Sequence, residues 1–372
     1  MNPALLARLR GPGVFAAVAV LALVVAPLLL EPFRLNLLAK YLCFAIVALG
    51  IGLAWGQGGM LVLGQGVFFG LGGYAMGMHL KLVDARGDLP DFMVWSGVEQ
   101  LPALWKPFAN PVFALFMVVA GPMLIAAVLG LLVFRQRVRG AYFAILTQAL
   151  AAAFVILLVG QQGLTGGTNG LTNFFELFGR DLAADSTQRG LYFVVAIVTG
   201  LLYLGARQLV NSRFGRLLVA VRDGEDRVRF LGYDPARVKT VTFVISAGMA
   251  GLAGALFVPV VGIISPALLG VVPSLELVVA VAVGGRFALA GAILGAVVMG
   301  YAKTSFSEQF ADGWLYLQGA LFILVMTLAP RGILGLVSAA RDAPARRAAR
   351  RAGPPEPGPA GPGTIRAMEE VT

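Results

Sequence analysis

The stretch AYFAILTQALAAAFVILLVG, residues 141–160, contains no charged side chain and is long enough to cross a lipid bilayer as a single helix. Comparable apolar runs on either side of it lie near residues 14–30, 37–55, 60–80, 112–134, 191–206, 241–264 and 314–329, which makes eight clear crossings. A further apolar stretch, 275–301, is interrupted by Gly284, Gly285 and Arg286, and we expect two short helices that meet at Arg286. The sequence therefore predicts an all-α, polytopic membrane protein with about ten transmembrane helices, two of them short.

The composition agrees with a membrane protein and excludes an ordinary soluble one. Of the 372 residues, 58% are hydrophobic and 13% are charged, whereas soluble chains carry about 25% charged residues. The formal net charge of +10 would suggest nucleic acid in a soluble protein. Most Lys and Arg residues lie instead in alternate loops, so the positive-inside rule predicts that the N- and C-termini are cytoplasmic. The excess charge is then a signal of orientation in the membrane, and we expect lipid around the chain and no nucleic-acid partner.

The scarcity of reactive side chains argues against an enzyme. One cysteine, Cys43, and one histidine, His79, cannot build a metal site, and both lie in apolar stretches where a packed side chain is expected. Glu276 is the one acidic residue within a predicted crossing, so paired carboxylates are also missing. We therefore predict no catalytic residues and no bound metal.

The chain divides into three predicted parts. Residues 1–13 form a cytoplasmic N-terminus, residues 14–340 form the transmembrane domain with a cytoplasmic loop at 207–239, and residues 341–372 form a tail. The tail is rich in Pro, Ala, Gly and Arg and is predicted to be disordered. The first apolar run is predicted to stay in place as a helix, because no cleavage site of small residues follows it.

Glycines are concentrated between Gly56 and Gly77. Small residues at four-residue spacing let helices approach closely in a bilayer. The same glycines weaken a continuous helix, since each costs up to about 1 kcal/mol relative to alanine. The pattern leaves two structures open, a very tightly packed helix or a helix broken around a pathway.

The loop at 207–239 contains signals for a short helix. Asp223 is predicted to be its N-cap, Glu225 and Asp226 lie in its first turn, and Gly232 ends it in the left-handed conformation, with Pro235 beyond. Glu225 and Arg229 have the spacing of a helical ion pair, whereas Val228 and Leu231 offer an apolar face. A helix of this length is marginal in water, so it should pack against the membrane domain or a partner.

Several stretches, in order and spacing, resemble one family of transport proteins. They are WGQGGMLVLGQGVFFGLGGYAMG (55–77), YFAILTQAL (142–150), GLTGGTNGLT (163–172), FGRLLVAVRDGEDRVRFLGYDP (214–235), residues 246–266 and SLELVVAVAVGGR (274–286). Together they resemble ATP-binding-cassette importer permeases of the branched-chain amino acid and urea family. Within it, DFMV (91–94), LWKPF (104–108), VRFLGYDP (228–235) and YAKT (301–304) resemble the urea-transport subunit.

The resemblance implies a function and partners. The chain would be similar in fold to the ten-helix importer permeases of the bacterial inner membrane and would pair with a second, related permease. A periplasmic binding protein would deliver substrate, and two cytoplasmic ATPases would bind and hydrolyse ATP with Mg²⁺. The chain itself has no G-x-x-x-x-G-K-[ST] phosphate loop, so we expect no cofactor on it. The residues implied in coupling to the ATPases are Arg222, Asp223, Glu225, Asp226, Val228, Arg229, Leu231 and Gly232.

The expected substrate is urea, which is neutral and rich in hydrogen-bonding groups. Its path should be lined by amides and hydroxyls at membrane depth or in the outer loops. The candidates are Gln57, Gln65, Thr147, Gln148, Thr165, Thr168, Asn169 and Asn173. Glu276 is a further candidate, because an ionisable side chain within a span suggests function, although a structural pairing with Arg286 or a helix end is an equal alternative.

Two other functions remain open from the sequence. A permease for branched-chain amino acids or short amides would share the whole pattern, and a zwitterionic substrate would explain Glu276. A passive urea channel is the second alternative, but a channel would not need a capped cytoplasmic helix that couples it to an ATPase.

Overall fold

The computed structural model describes residues 23, 25–138, 140–307, 310, 313–328 and 332. The segment 1–13 and the tail 341–372 lie outside these residues, and so does most of the predicted first crossing at 14–30. Of that crossing, the structure describes the short helix α1, Ala26–Leu29.

The remaining helices follow the predicted order. They are α2 (Pro32–Ile51), α3 (Gln65–Asp84), α4 (Asp91–Trp95), α5 (Pro111–Arg135), α6 (Ala141–Gly160), α7 (Gln162–Thr165), α8 (Asp185–Asn211), α9 (Arg213–Phe230), α10 (Pro235–Val261), α11 (Val271–Gly284), α12 (Leu289–Ser307) and α13 (Gly313–Leu328). A π-helical turn, Gly52–Gln57, continues α2, and 3-10 turns lie at Lys106–Ala109 and Pro266–Leu268.

Seven helical segments within the described residues are long and apolar enough to cross a membrane. They are Pro32–Gln57, Pro111–Arg135, Ala141–Gly160, Asp185–Asn211, Pro235–Val261, Pro266–Gly284 and Leu289–Ser307. The glycine-rich α3 and the shorter α13 add further apolar helices. This arrangement confirms the prediction of an all-α, polytopic membrane protein, including the break between α11 and α12 at Gly285 and Arg286.

The long helices alternate in direction, which gives the molecule two ends. One end, here called the basic end, carries Arg135, Arg213 and Arg286. The C-terminus of α2 lies there too, because Arg222 contacts the Gly56 carbonyl group. The positive-inside rule predicts that the basic end faces the cytoplasm.

The centre of the molecule consists of α2, α3 and α10. Both α2 and α10 are buried over most of their length, whereas most residues of α5, α6 and α8 are exposed or half-buried, as expected for helices that face lipid. Helix α3 is buried along nearly its whole length. Its Gly72 approaches α10 so closely that a Cβ atom there would lie 1.9 Å from the Gly251 carbonyl oxygen. Glycine therefore determines how closely the central helices pack.

The glycine-rich segment is both broken and tightly packed. Sequence reasoning placed the start of the crossing at residue 60, but residues 58–64 are not helical and α3 begins at Gln65. The break follows the π-helical turn and includes Gly59, which has a φ of +70°. Because glycine adopts this conformation without strain, Gly59 lets the chain turn between α2 and α3.

Short strands are found at the opposite end of the molecule. Strand β1 (Leu171–Thr172) pairs antiparallel with β4 (Ile263–Ile264), and β2 (Glu176–Leu177) pairs antiparallel with β3 (Arg180–Asp181). The first pair connects the loop before α8 to the end of α10. These contacts hold together the loops that should face away from the cytoplasm.

Candidate functional site

Helix α9 and the turn that follows it form the largest structured feature of the basic end. The predicted loop 207–239 is mostly helical, because it includes the end of α8, all of α9 and the start of α10. Within α9, Gly224 has φ −168° and ψ 76°, so the helix is kinked there. We call residues 222–233 the kinked segment; it contains all the residues that the sequence implicates in coupling.

The predicted short helix is found as the part of α9 that follows the kink at Gly224, but the side chain of its predicted N-cap, Asp223, bonds to Arg222. Helix α9 begins earlier, at Arg213, with Ser212 as its N-cap accepting a hydrogen bond from the Gly215 amide at 3.3 Å. Asp223 lies in the helix before the kink, and its carboxylate accepts a hydrogen bond from Arg222 Nε at 2.8 Å. This bond holds the pKa of the Asp223 carboxyl below its usual range. Asp223 is therefore bound to a guanidinium and does not cap a helix.

Glu225 fastens the second half of α9 to α10. Its carboxylate lies 3.3 Å from Arg229 Nη2, as the spacing predicted, and 2.5 Å from Lys239 Nζ. The Glu225 and Lys239 side chains are only 13% and 11% exposed. Asp226 also contacts Arg229, at 3.0 Å, but is exposed. Glu225 is thus the acid that connects two helices.

The predicted apolar face of Val228 and Leu231 does not exist as one surface. Val228 is buried in a small cluster with Leu218, Val221 and Val238, so it packs against this chain itself. Helix α9 ends at Phe230, and Leu231 lies just beyond it, 76% exposed. The end of the helix turns Leu231 away from Val228.

An exposed apolar tip follows Val228. Phe230 is 90% exposed, and Leu231 and Tyr233 are also exposed. Gly232 has a φ of +86°, which agrees with the predicted left-handed terminator, and its amide bonds to the Arg229 carbonyl at 3.0 Å. Pro235 does not simply follow the turn; it begins α10, whose N-cap is Asp234. Sequence reasoning missed Phe230 and Tyr233, although aromatic residues beside a terminating glycine were a visible signal.

Arg222 connects the kinked segment to the centre of the molecule. Its Nη1 atom donates to the Gly56 carbonyl oxygen at 2.8 Å, and its guanidinium lies 5.5 Å from the Phe287 ring centroid. The Arg286 guanidinium lies between the Trp55 and Phe287 rings, 5.1 and 4.7 Å from their centroids. We call the contacts among Trp55, Gly56, Gln57, Arg286 and Phe287 the junction.

The junction joins the end of α2 to the turn between α11 and α12. Gln57 Nε2 donates to the Phe287 carbonyl oxygen at 2.9 Å. A Cβ atom at Gly56 would lie 1.7 Å from the Arg286 carbonyl oxygen, so only glycine fits there. A movement of Arg222 would therefore act at once on the end of α2 and on the turn between α11 and α12.

Several of the predicted pathway residues in the middle of the membrane donate hydrogen bonds within the chain. Gln65 Nε2 donates to Ser246 Oγ at 2.7 Å between α3 and α10, whereas Gln65 Oε1 is buried without a partner among the described residues. Thr147 Oγ1 donates to the Ala144 carbonyl and accepts from the Leu63 amide at 3.1 Å. Gln148 is half-buried on α6. Gln57 lies apart from them at the junction, where it bonds to the Phe287 carbonyl group.

The polar residues near the opposite end are also dispersed. Thr165 is buried and bonds to the Leu158 carbonyl at 2.6 Å, whereas Thr168 and Asn173 are exposed. Asn169 lines a cavity of about 90 Å³ together with the ion pair of Lys81 and Asp91. Of the outer-loop residues predicted to line the substrate path, Asn169 therefore lies beside a charged cavity.

Glu276 lines a second and larger cavity, of about 130 Å³. Of the alternatives left open for Glu276, the pairing with Arg286 does not occur: Glu276 Oε2 lies 2.6 Å from Lys303 Nζ, while Arg286 lies at the basic end. Lys40 lines the same cavity. Sequence reasoning missed both lysines, although a lysine within a predicted span was a signal for a functional site.

Comparisons with known proteins agree on one family. The family described as "Branched-chain amino acid transport system / permease component" matches residues 33–326. The chain is 28% identical over 340 residues to the high-affinity branched-chain amino acid transport system permease protein LivM of Escherichia coli (strain K12), over 85% of this chain and 74% of that protein. It is 24% identical over 322 residues to the probable branched-chain amino acid transport permease protein LivM of Methanocaldococcus jannaschii, over 78% and 90% of the two chains. No solved structure matches the chain.

A second type of relative matches a shorter part. The high-affinity branched-chain amino acid transport system permease protein LivH of Escherichia coli (strain K12) is 33% identical over 144 residues, 38% of this chain and 46% of that protein. These relatives are transport permease components, which confirms the prediction that the chain is not an enzyme. Their names do not support the more specific resemblance to a urea permease. Because the family match spans most of its length, the chain belongs to the family of branched-chain amino acid transport system permease components.

Proposed function

We propose that this chain translocates branched-chain amino acids as one permease subunit of an ATP-binding-cassette importer. The observation that carries the proposal is the similarity to LivM permeases over 85% of the chain. It is supported by the charged cavity around Glu276, which suits a charged substrate better than a neutral one. The basic end would face the cytoplasm of a bacterial cell, with the membrane in question the inner membrane.

Similarity to both LivM and LivH supports a complex of two related permease chains. A binding protein on the outer side would deliver substrate to this pair. Two ATPases on the cytoplasmic side would bind ATP and Mg²⁺, because the sequence of this chain offers no phosphate-binding loop.

The kinked segment is the part that we propose docks on an ATPase. Phe230, Leu231 and Tyr233 form an exposed apolar tip, whereas Val228 and Glu225 attach the segment to its own chain. Exposed aromatic side chains next to a rigid turn are suited to insertion into an apolar groove. Nucleotide binding can then shift the permease between two states only to the extent that the ATPase binds one state more tightly.

Urea is the weaker substrate candidate. Of the amides and hydroxyls expected to line its path, Gln57, Gln65 and Thr147 donate hydrogen bonds within the chain, and Gln65 Oε1 has no partner among the described residues. Such contacts stabilise helix packing by about 0.6 kcal/mol each, and they leave few free groups for a neutral amide. A passive channel is weaker still, since it gives no role to the kinked segment.

The test is transport by the complete complex. Proteoliposomes containing both permeases, the ATPases and the binding protein should take up labelled leucine when ATP is enclosed and should not accumulate labelled urea. ATP-dependent uptake of urea without leucine would contradict the proposal. Uptake of either solute without ATP would instead support a channel.

A further inference from the structure

A cavity of about 130 Å³ lies where five helices meet, in the half of the molecule away from the basic end. Helices α2, α3, α11, α12 and α13 all contribute to its wall. Lys303 lies near the end of α12 and its side chain is 47% exposed, so the cavity wall reaches the surface of the chain there. If the basic end is cytoplasmic, this is the side from which an imported substrate arrives.

The cavity has an excess of positive charge. Lys40 and Lys303 face one acid, Glu276, and the Lys303 to Glu276 ion pair measures 2.6 Å. Among the residues that the structure describes, no hydrogen bond or ion pair is made by Lys40 Nζ. An ammonium group at membrane depth is costly without a counter-charge, so a ligand carboxylate would stabilise this arrangement.

Two helix starts also line the cavity. The first turn of α3 contributes Gly66, and the first turn of α11 contributes Pro273 and Ser274. Helix N-termini carry partial positive charge, but the Gly66 amide donates to Ser274 Oγ at 3.2 Å, the Ser274 amide donates to the Gly270 carbonyl group, and Pro273 has no N–H group. The donors that these residues leave for a ligand carboxylate are therefore the lysine ammonium groups.

The cavity also contains an acceptor without a donor. Gln318 on α13 is 6% exposed, and its Oε1 atom has no hydrogen-bond partner among the described residues. A buried amide oxygen left unpaired costs free energy that a ligand N–H group would recover. With Glu276, Gln318 offers two acceptor groups for an ammonium.

We infer that this cavity binds an aliphatic α-amino acid as its zwitterion. The carboxylate lies between Lys40 and Lys303, and the ammonium faces Glu276 and Gln318. The side chain of the ligand packs on the apolar part of the wall, which includes Phe44, Phe69, Leu268, Leu277 and Met299. The inference rests on the proposed function and adds to it the site and the groups that recognise the substrate.

Opposite charges and an apolar wall distinguish this ligand from others. Urea is uncharged and offers no carboxylate to pair with Lys40. A fatty acid would pair with Lys40 but would offer no N–H group to Gln318 Oε1. The zwitterion satisfies both sets of groups.

The location of the site is tested by photo-labelling of the complete complex. Leucine with a diazirine in its side chain, activated by light after addition with the binding protein, should label peptides containing Leu277 or Met299. Labelling only of the cavity beside Lys81 and Asp91 would overturn the assignment, even if leucine uptake by the complex were normal.

The role of the lysines is tested by transport kinetics. Lys40→Met keeps the length of the side chain and removes its charge, so KM for leucine should rise at least tenfold with the same amount of assembled complex. Lys106→Met is the matched control, because Lys106 is exposed in a loop away from the cavity, and its KM should equal that of the wild type. If the Lys40→Met complex has the wild-type KM and still takes up leucine, the cavity is not the binding site, although the proposed function stands. If the wild-type complex takes up urea and no leucine, the proposed function itself is wrong.

Discussion

At the scale of single residues, glycine sets the distance between the two central helices. A Cβ atom at Gly254 of α10 would lie 1.9 Å from the Phe69 carbonyl oxygen of α3, and one at Gly72 would collide with Gly251. Lipid does not push apolar helices together, so their attraction depends on close backbone contact. The stability of the bundle therefore depends on these positions more than on the large side chains that face lipid.

Gly254→Ala should separate α3 from α10 and lower the melting temperature of the purified protein in detergent. Overpacking of this kind costs about 1–3 kcal/mol. Gly205→Ala in α8 is the control, because nothing lies within 4 Å of a Cβ atom there. Since alanine favours a helix by up to about 1 kcal/mol over glycine, the control should melt at the same or a higher temperature. Equal destabilisation by both changes would show that the close approach does not matter.

The ion pair of Glu225 and Lys239 is a second residue-scale determinant. Glu225→Met should leave Lys239 poorly exposed without its partner and destabilise the contact between α9 and α10. We expect a loss of about 1–3 kcal/mol, less than for a fully buried pair because both groups keep some exposure. The double variant Glu225→Met with Lys239→Met should recover part of that loss. Thermal unfolding of the single and double variants measures the coupling, and simple additivity of the two losses would contradict it.

At the scale of elements, the kink at Gly224 divides α9 into two pieces with different contacts. The first piece ends at Arg222, which reaches the junction. The second piece is held by Val228 and Glu225, and it ends in the exposed tip. A segment attached at one side and apolar on the other is suited to transmit a displacement from a partner.

Replacing Phe230 and Leu231 together by serine should weaken the complex with the ATPases. Both side chains are exposed, so the change should leave the fold intact and act on docking alone. We expect co-purification of the ATPases to fall several-fold, since buried aromatic anchors often contribute 2 kcal/mol or more, roughly, to an interface. Arg213→Ala, also exposed on α9, serves as the control. Undiminished co-purification of the double variant would exclude the tip as the docking surface.

The sequence predicts helices well where a long apolar run has clear ends. Residues 141–160 were placed without error as α6, and Gly284 to Arg286 marked the break before α12. The start of α3 was placed too early, because Leu61, Val62 and Leu63 are apolar although the chain there is not helical. Hydropathy indicates whether a side chain prefers an apolar environment, and it does not indicate the conformation of the backbone.

Functional residues were harder to predict, because their contacts join distant parts of the chain. Arg222 and Gly56 are far apart in sequence, as are Glu276 and Lys303. A local pattern can reveal a cap such as Gly232, but it cannot show which carbonyl a guanidinium reaches. For the neutral side chains Gln65 and Thr147 the sequence leaves open a place on the pathway or a hydrogen bond between helices, and the structure shows both donating hydrogen bonds within the chain while Gln65 Oε1 has no partner among the described residues.

At the scale of the whole molecule, the two ends contain different candidate sites. The kinked segment and the junction occupy the basic end, and the charged cavity around Lys40 lies in the opposite half. Helices α2, α11 and α12 extend from the junction to the cavity wall. A displacement at the junction can therefore change the shape of the cavity without any direct contact between ATPase and substrate.

We propose above all that Arg222 transmits a movement of the ATPases to α2, α11 and α12. The most direct measurement is the amount of leucine taken up per ATP hydrolysed in proteoliposomes of the complete complex. Arg222→Ala should lower leucine uptake at least tenfold while ATP hydrolysis continues, because the contact with Gly56 and Phe287 is lost. Arg216→Ala removes an equal charge from an exposed position of α9 and should leave the ratio as in the wild type. An Arg222→Ala complex that keeps the wild-type ratio would contradict the account.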